Sequence, residues 1–136
     1  IRYESKKLQW LGAYDEIAQV MAIWHGTGAT TLDDLKSHDL VFGSMATSHL
    51  SYQWAMVAKA SLGAKFKVIS GYTTGGNLNL AMERGEVDGQ IVDISAIQVG
   101  RPQLWAEKKL KPLIAFGRTT PLPDYPDVPT ARELAI

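Results

Sequence analysis

Cysteine is absent from the 136 residues, which removes disulfides, thiolate metal sites and a cysteine nucleophile together. A long hydrophobic run is lacking as well: no apolar stretch approaches the ~20 residues that span a bilayer. So is an excess of charge. Fourteen Lys and Arg are balanced by 14 Asp and Glu, and the bases are scattered, with Lys108, Lys109 and Lys111 the nearest thing to a cluster. Affinity for nucleic acid comes largely from clustered bases, so no nucleic-acid partner is expected. What is present is 46% hydrophobic and 21% charged residues, the composition of a folded protein rather than a disordered one. The length suits one domain with a proper core and is short for two. The start, Ile1-Arg-Tyr-Glu-Ser-Lys-Lys7, is polar and charged rather than a signal peptide. Beginning without methionine, the chain reads as a processed product or an excised piece.

Strand and helix patterns alternate. Ala18–Trp24 is a short apolar run suited to a buried strand, and His25-Gly-Thr-Gly28 breaks it. Thr31 with Asp34 makes a capping-box variant opening a short helix. Leu40–Gly43 reads as a second strand. From about Thr47 to Leu62, Leu50, Trp54, Val57 and Ala58 recur at helical spacing, and Gly63 is placed to end the helix. Lys65–Ile69 reads as a strand, Asn77–Arg84 as a helix with Leu78, Ala81 and Met82 on one face, and Gln90–Ile94 as a further strand. A short helix over Pro102–Lys108 and a strand over Leu110–Phe116 follow. Pro121, Pro123, Pro126 and Pro129 mark an extended loop, and Thr130 with Glu133 forms a capping box that opens a last helix. The fold class is α/β, an open sheet flanked by helices, with no repeat and no clear linker.

In open α/β sheets ligands gather where loops leave the carboxyl ends of the strands. Two loops have suitable chemistry: Gly43-Ser-Met-Ala-Thr-Ser48 and Gly71-Tyr-Thr-Thr-Gly-Gly76. Each places hydroxyls and N–H groups at a helix start, where the macrodipole favours an anion. The same residues serve as ordinary N-caps and turn formers, and the pattern alone leaves both readings open. Catalytic sets are harder to assemble. Ser44 lacks the Gly-x-Ser-x-Gly elbow, and Gly71–Gly76 lacks the Gly-Lys-Ser/Thr ending of a phosphate loop. His25, His38 and His49 are too widely spaced for a local metal motif and read as surface or capping residues. Glu83, Glu86 and Asp88 read as a solvated helix end, and Trp10, Trp24, Trp54 and Trp105 as packing residues. No catalytic residue, metal or cofactor is expected.

Three stretches in order along the chain resemble one family. Phe66-Lys-Val-Ile-Ser-Gly-Tyr72 with Asn79-Leu-Ala-Met-Glu-Arg-Gly-Glu-Val-Asp-Gly89 is similar to the core of the solute receptors of tripartite tricarboxylate transporters. Leu122-Pro-Asp-Tyr-Pro-Asp-Val-Pro-Thr130 with Glu133-Leu134 resembles the family's proline-rich signature, and Phe42-Gly-Ser-Met-Ala-Thr-Ser-His-Leu50 its glycine and serine loop. The resemblance implies one lobe, here residues 1–136, of a type II periplasmic-binding-protein-like fold. It implies an exported, periplasmic bacterial receptor that takes a small carboxylate and delivers it to membrane permease subunits. By position it implies ligand contacts from Ser44, Thr47 and Ser48 in the first loop and Tyr72, Thr74 and Gly75 in the second. Family receptors are about twice this length, so the chain resembles the second lobe alone, and an isolated lobe is expected to self-associate. The family's first loop carries glycines where this chain has Met45-Ala46. A small α/β hydrolase, or a sensor module that no longer transports, are the alternative readings.

Overall fold

A computed structural model describes Lys7, Gln9, Leu11, Gly12 and residues 18–136; Trp10 lies outside them. Five strands form one mixed sheet among the described residues: β1 (Gln19–Trp24), β2 (Val41–Ser44), β3 (Lys67–Ser70), β4 (Gly89–Asp93) and β5 (Leu110–Phe116), in the order β3-β2-β4-β1-β5. β2 pairs in parallel with both β3 and β4. β1 runs against its two neighbours, β4 and β5. The continuous apolar run Val20-Met-Ala-Ile23 is buried on both faces, as a central strand covered by helices requires.

The helices are α1 (Asp34–Ser37), α2 (Leu50–Leu62), α3 (Gly75–Glu83), α4 (Ile94–Gly100) and α5 (Pro102–Ala106). One face of the sheet packs under α2, where Phe42 meets Phe66 with ring centroids 4.6 Å apart and Trp54 stacks on Phe116 at 5.0 Å. The other face packs under α3, α4 and α5 through Leu78, Ala81, Met82, Ile97, Leu104 and Trp105. Gly43 is what lets α3 lie so close, because a Cβ there would run into Leu78 Cδ2. Asp88 pins the opposite end of the sheet: its Oδ2 accepts from Val41 N–H at 2.7 Å, and its own N–H donates to Val41 O at 2.7 Å.

Differences from the sequence expectations have local causes. α2 buries its small residues Ser51, Ala55 and Ala58, while Leu50 and Val57 are exposed; small side chains bring the helix axis nearer the sheet. α4 was not anticipated. Its residues, Ile-Ser-Ala-Ile-Gln-Val-Gly, are rich in β-branched side chains, yet Asp93 caps them by accepting from Ser95 N–H at 2.9 Å. The capping box at Thr130 does form, with Glu133 Oε2 accepting from Thr130 N–H at 2.7 Å and Glu133 N–H donating to Thr130 Oγ1 at 3.2 Å. No helix grows from it. Ala135 turns left-handed at φ 57°, and Ala131 N–H is committed to Ala115 O on β5, so the segment closes as a turn against the sheet.

Candidate functional site

The strand order places a reversal at the carboxyl ends of β2 and β4. From β2 the chain crosses outward to β3; from β4 it crosses the other way to β5. A crevice opens at such a point because the two exit loops diverge. Here it is a groove of about 340 Å³ walled by Gln19, Met45, His49, Leu50, Gly75, Leu78, Gln90, Ile91, Val92, Asp93 and Ala96. The antiparallel β1 brings Gln19 to the same edge, opposite Asp93. A smaller hollow of about 240 Å³ adjoins it and shares Gly75, Val92 and Ala96.

The two loops singled out in the sequence are joined. Gly71 N–H donates to Met45 O at 2.7 Å, and Tyr72 N–H to Ser44 O at 3.3 Å. Gly71 has φ 122°, a conformation only glycine adopts without strain. The second loop ends at Thr74, whose Oγ1 accepts from Asn77 N–H at 3.2 Å and so caps α3. The first turn of a helix leaves N–H groups without intrahelical acceptors, here those of Gly75 and Gly76. A Cβ placed on Gly75 would meet nothing within 4 Å, so the backbone there is open to a ligand.

The first loop is more closed. Met45 N–H reaches Ser51 Oγ at 3.5 Å, and His49 N–H donates to Ala46 O at 2.9 Å. His49 caps α2, its Nδ1 accepting from Ser51 N–H at 3.1 Å and lying 2.9 Å from Ser51 Oγ. Although this is a serine beside a histidine, Ser51 is buried, and a nucleophile must reach its substrate.

The six expected contact residues therefore divide. Gly75 lies in the groove wall. Ser44 is buried and outside the groove wall, with Oγ donating to Ile69 O at 3.4 Å. Thr47 and Ser48 sit on the exposed turn before α2. Tyr72 is half-buried against the α3 layer, and Thr74 is exposed and acts as the cap. The wall residues missed by sequence reasoning lie on three separate segments, Gln19 on β1, His49 at the start of α2, and Gln90 and Asp93 on β4, which only the fold brings together. Asp93 did carry a signal in the Asp-x-Ser pattern of a helix cap. Asp93 is the one formally charged residue in that wall, so an anion here would be held by backbone N–H groups rather than by a side-chain cation.

Among the described residues no three His, Cys, Asp or Glu gather as a metal site, and no helix is long and apolar enough to cross a membrane. Glu83, Glu86 and Asp88 do not converge: Glu83 pairs with Arg101 at 2.9 Å, Glu86 with Arg84 at 3.8 Å, and Asp88 holds Val41.

No protein-family model and no curated protein matches the chain in sequence. Solved structures do match in fold. A TctC solute binding protein from Polaromonas, solved without ligand, superposes with a TM-score of 0.69 at 18% identity, over 89% of this chain and 43% of that one. MatC from Rhodopseudomonas palustris, with bound malate, gives 0.65 at 20% identity over 87% and 40%. The periplasmic binding protein BugD gives 0.71 at 15% identity over 86% and 39%. The fold is that of one lobe of a periplasmic binding protein. This chain spans about two-fifths of the length of the proteins it matches, which agrees with the lobe expected from the sequence resemblance.

Proposed function

We propose that the chain is a solute-binding lobe that holds a small carboxylate in the groove at the carboxyl edge of its sheet and performs no chemistry on it. The observation that carries this reading is the position of the groove at the reversal between β2 and β4, beside the open backbone of Gly75. Donors at the first turn of α3 suit an anion; the groove wall has no Lys or Arg, and Arg101, which lines the adjoining hollow, is paired with Glu83 at 2.9 Å. The match in fold to binding proteins, one of them holding malate, supports the same class of ligand. The resemblance in sequence extends the reading to an exported receptor serving membrane permease subunits in the periplasm. A lobe separated from its partner covers only half of a ligand, so the affinity of this chain alone is low. Exposed Leu50, Met56 and Val57 on α2 favour its association with a second apolar surface.

The test is an amide chemical-shift titration with a panel of small dicarboxylic and aromatic acids at millimolar concentration. Saturable shifts confined to residues 43–49, 71–77 and 90–96 are the expected result. Shifts spread evenly over the surface, or none for any acid, would sink the proposal. An esterase readout on generic esters, lost in Ser44→Ala, would favour the hydrolase alternative; with Ser44 buried, none is expected.

A further inference from the structure

Resting on that reading of the groove, we infer that Gln90 is its specificity residue and selects an acid that carries a hydroxyl or other hydrogen-bond donor beside its carboxylate.

Gln90 is the second residue of β4, between Gly43 of β2 and Ala22 of β1. It is 1% exposed and forms part of the groove wall. Its Nε2 donates to Oδ1 of Asn79, a buried residue of α3, at 2.6 Å. The surrounding layer is otherwise apolar, made by Leu78, Ala81, Met82 and Val92. Nothing in the sheet calls for an amide at this point, since the ladder bonds of β4 are made by its backbone.

The other pole of the amide is the informative one. Gln90 Oε1 is buried and has no hydrogen-bond partner. Buried polar atoms are almost always paired, because leaving one unpaired forfeits its hydration with nothing in return. The groove wall holds two side chains that can donate, Gln19 and His49, and neither bonds Gln90 Oε1, which has no partner. Gln90 is itself a lining residue of the groove, which makes a bound solute the candidate source of that donor.

The chemistry of that donor follows. A carbonyl oxygen only accepts, and an ionised carboxylate also only accepts. With its amide turned so that Nε2 faces Asn79, Gln90 does not hold the carboxylate, which the proposed reading puts at the N–H groups of Gly75 and Gly76; it reads a second group on the same solute. A site built around a buried acceptor discriminates against the analogue that lacks the matching donor.

L-Malate and succinate differ by one hydroxyl and are the probes. Chemical-shift titrations of the 136-residue chain are expected to give a dissociation constant roughly tenfold lower for L-malate, the size of one net neutral hydrogen bond. In the wild type the Gln90 side-chain amide resonances shift with L-malate and not with succinate. Gln90→Met keeps the volume and removes both poles, and the preference falls to about one. The double variant Gln90→Met with Asn79→Leu also removes the orphaned Asn79 oxygen, and serves if the single variant folds poorly. Equal affinity for the two acids in the wild type, a preference for succinate, or a preference that survives in the folded variant would overturn the inference while leaving the carboxylate groove standing. Failure of both acids to bind would remove the groove reading, and the inference with it.

Discussion

The backbone N–H of Gly71 donates to the carbonyl of Met45 at 2.7 Å, and that bond ties the turn after β3 to the turn after β2. With the neighbouring bond from Tyr72 to Ser44, it makes the two loops one rigid rim. Pre-ordered donors hold an anion better than mobile ones, because less freedom is lost on binding. Gly71 reaches this geometry only at φ 122°.

Gly71→Ala should therefore strain the rim. The expected loss is about 1–2 kcal/mol of folding stability, read as a lower urea midpoint, with the largest amide shift changes at residues 44–46 and 71–74. Gly43→Ala should cost about 1–3 kcal/mol by overpacking, because the new methyl meets Leu78. Its effect should extend to Leu78, Tyr72 and Val87, the side chains around that position. An unchanged midpoint in both variants would mean that neither glycine is structurally required.

Gly75→Ala is the contrasting case. The added methyl meets nothing within 4 Å, and alanine is the better helix residue by up to ~1 kcal/mol. Stability should stay level or rise, whereas carboxylate affinity should fall, since the methyl sits where a ligand approaches the N–H groups of the first turn. A thermal melt and an acid titration on the same sample separate the two effects. A parallel fall in both would assign Gly75 to folding alone.

These contrasts show which parts of the molecule were legible in the sequence. β5 begins and ends where its apolar run does, at Leu110 and Phe116, and Gly63 closes α2 with φ 63° as a terminating glycine should. Such features are local. The helix at Ile94–Gly100 was missed because its β-branched residues mimic a strand and its cap is the single pair Asp93–Ser95. The one-turn close at Thr130–Glu133 was missed because a capping box states where a helix could begin, not how far it runs, and here Ala135 turns left-handed two residues after Glu133. At the site, Gly75 was legible as turn chemistry. Gln19 and Gln90 were not, since each reads as an unremarkable strand residue until the strand order sets them at one groove.

Asp34 gives a pH prediction. Its carboxylate accepts from Thr30 N–H at 2.6 Å and Thr31 N–H at 2.7 Å. These bonds, that from Thr30 foremost, hold its pKa below the usual carboxylate value. The ionised form is thus favoured in the folded state. Its stabilising contribution is complete above the unfolded-state value near 4 and disappears as pH falls through the lowered folded value. Asp34→Asn should lower the melting temperature at pH 7, and the gap from wild type should narrow as the pH falls below the unfolded-state value and through the lowered folded one. A gap that is constant from pH 7 to pH 2 would show that ionisation of Asp34 is not involved.

Asp88 separates charge from hydrogen bonding at the far end of the sheet. Its Oδ2 satisfies the backbone N–H of Val41, the first residue of β2, at 2.7 Å, while its own backbone bonds hold β4 to Val41 and Trp24. Asp88→Ala removes the acceptor, leaves the Val41 N–H without its partner and should cost about 1–3 kcal/mol. Asp88→Asn retains an acceptor oxygen of similar reach and should recover most of that loss, since the bond needs an oxygen rather than a charge. Hydrogen exchange at Val41 distinguishes the two: fast in the alanine variant, close to wild type in the asparagine variant. If both variants lose the same stability, the contribution of Asp88 is electrostatic. The acidic step that closes α3 would then act through its charge rather than as a brace on the entry to β2.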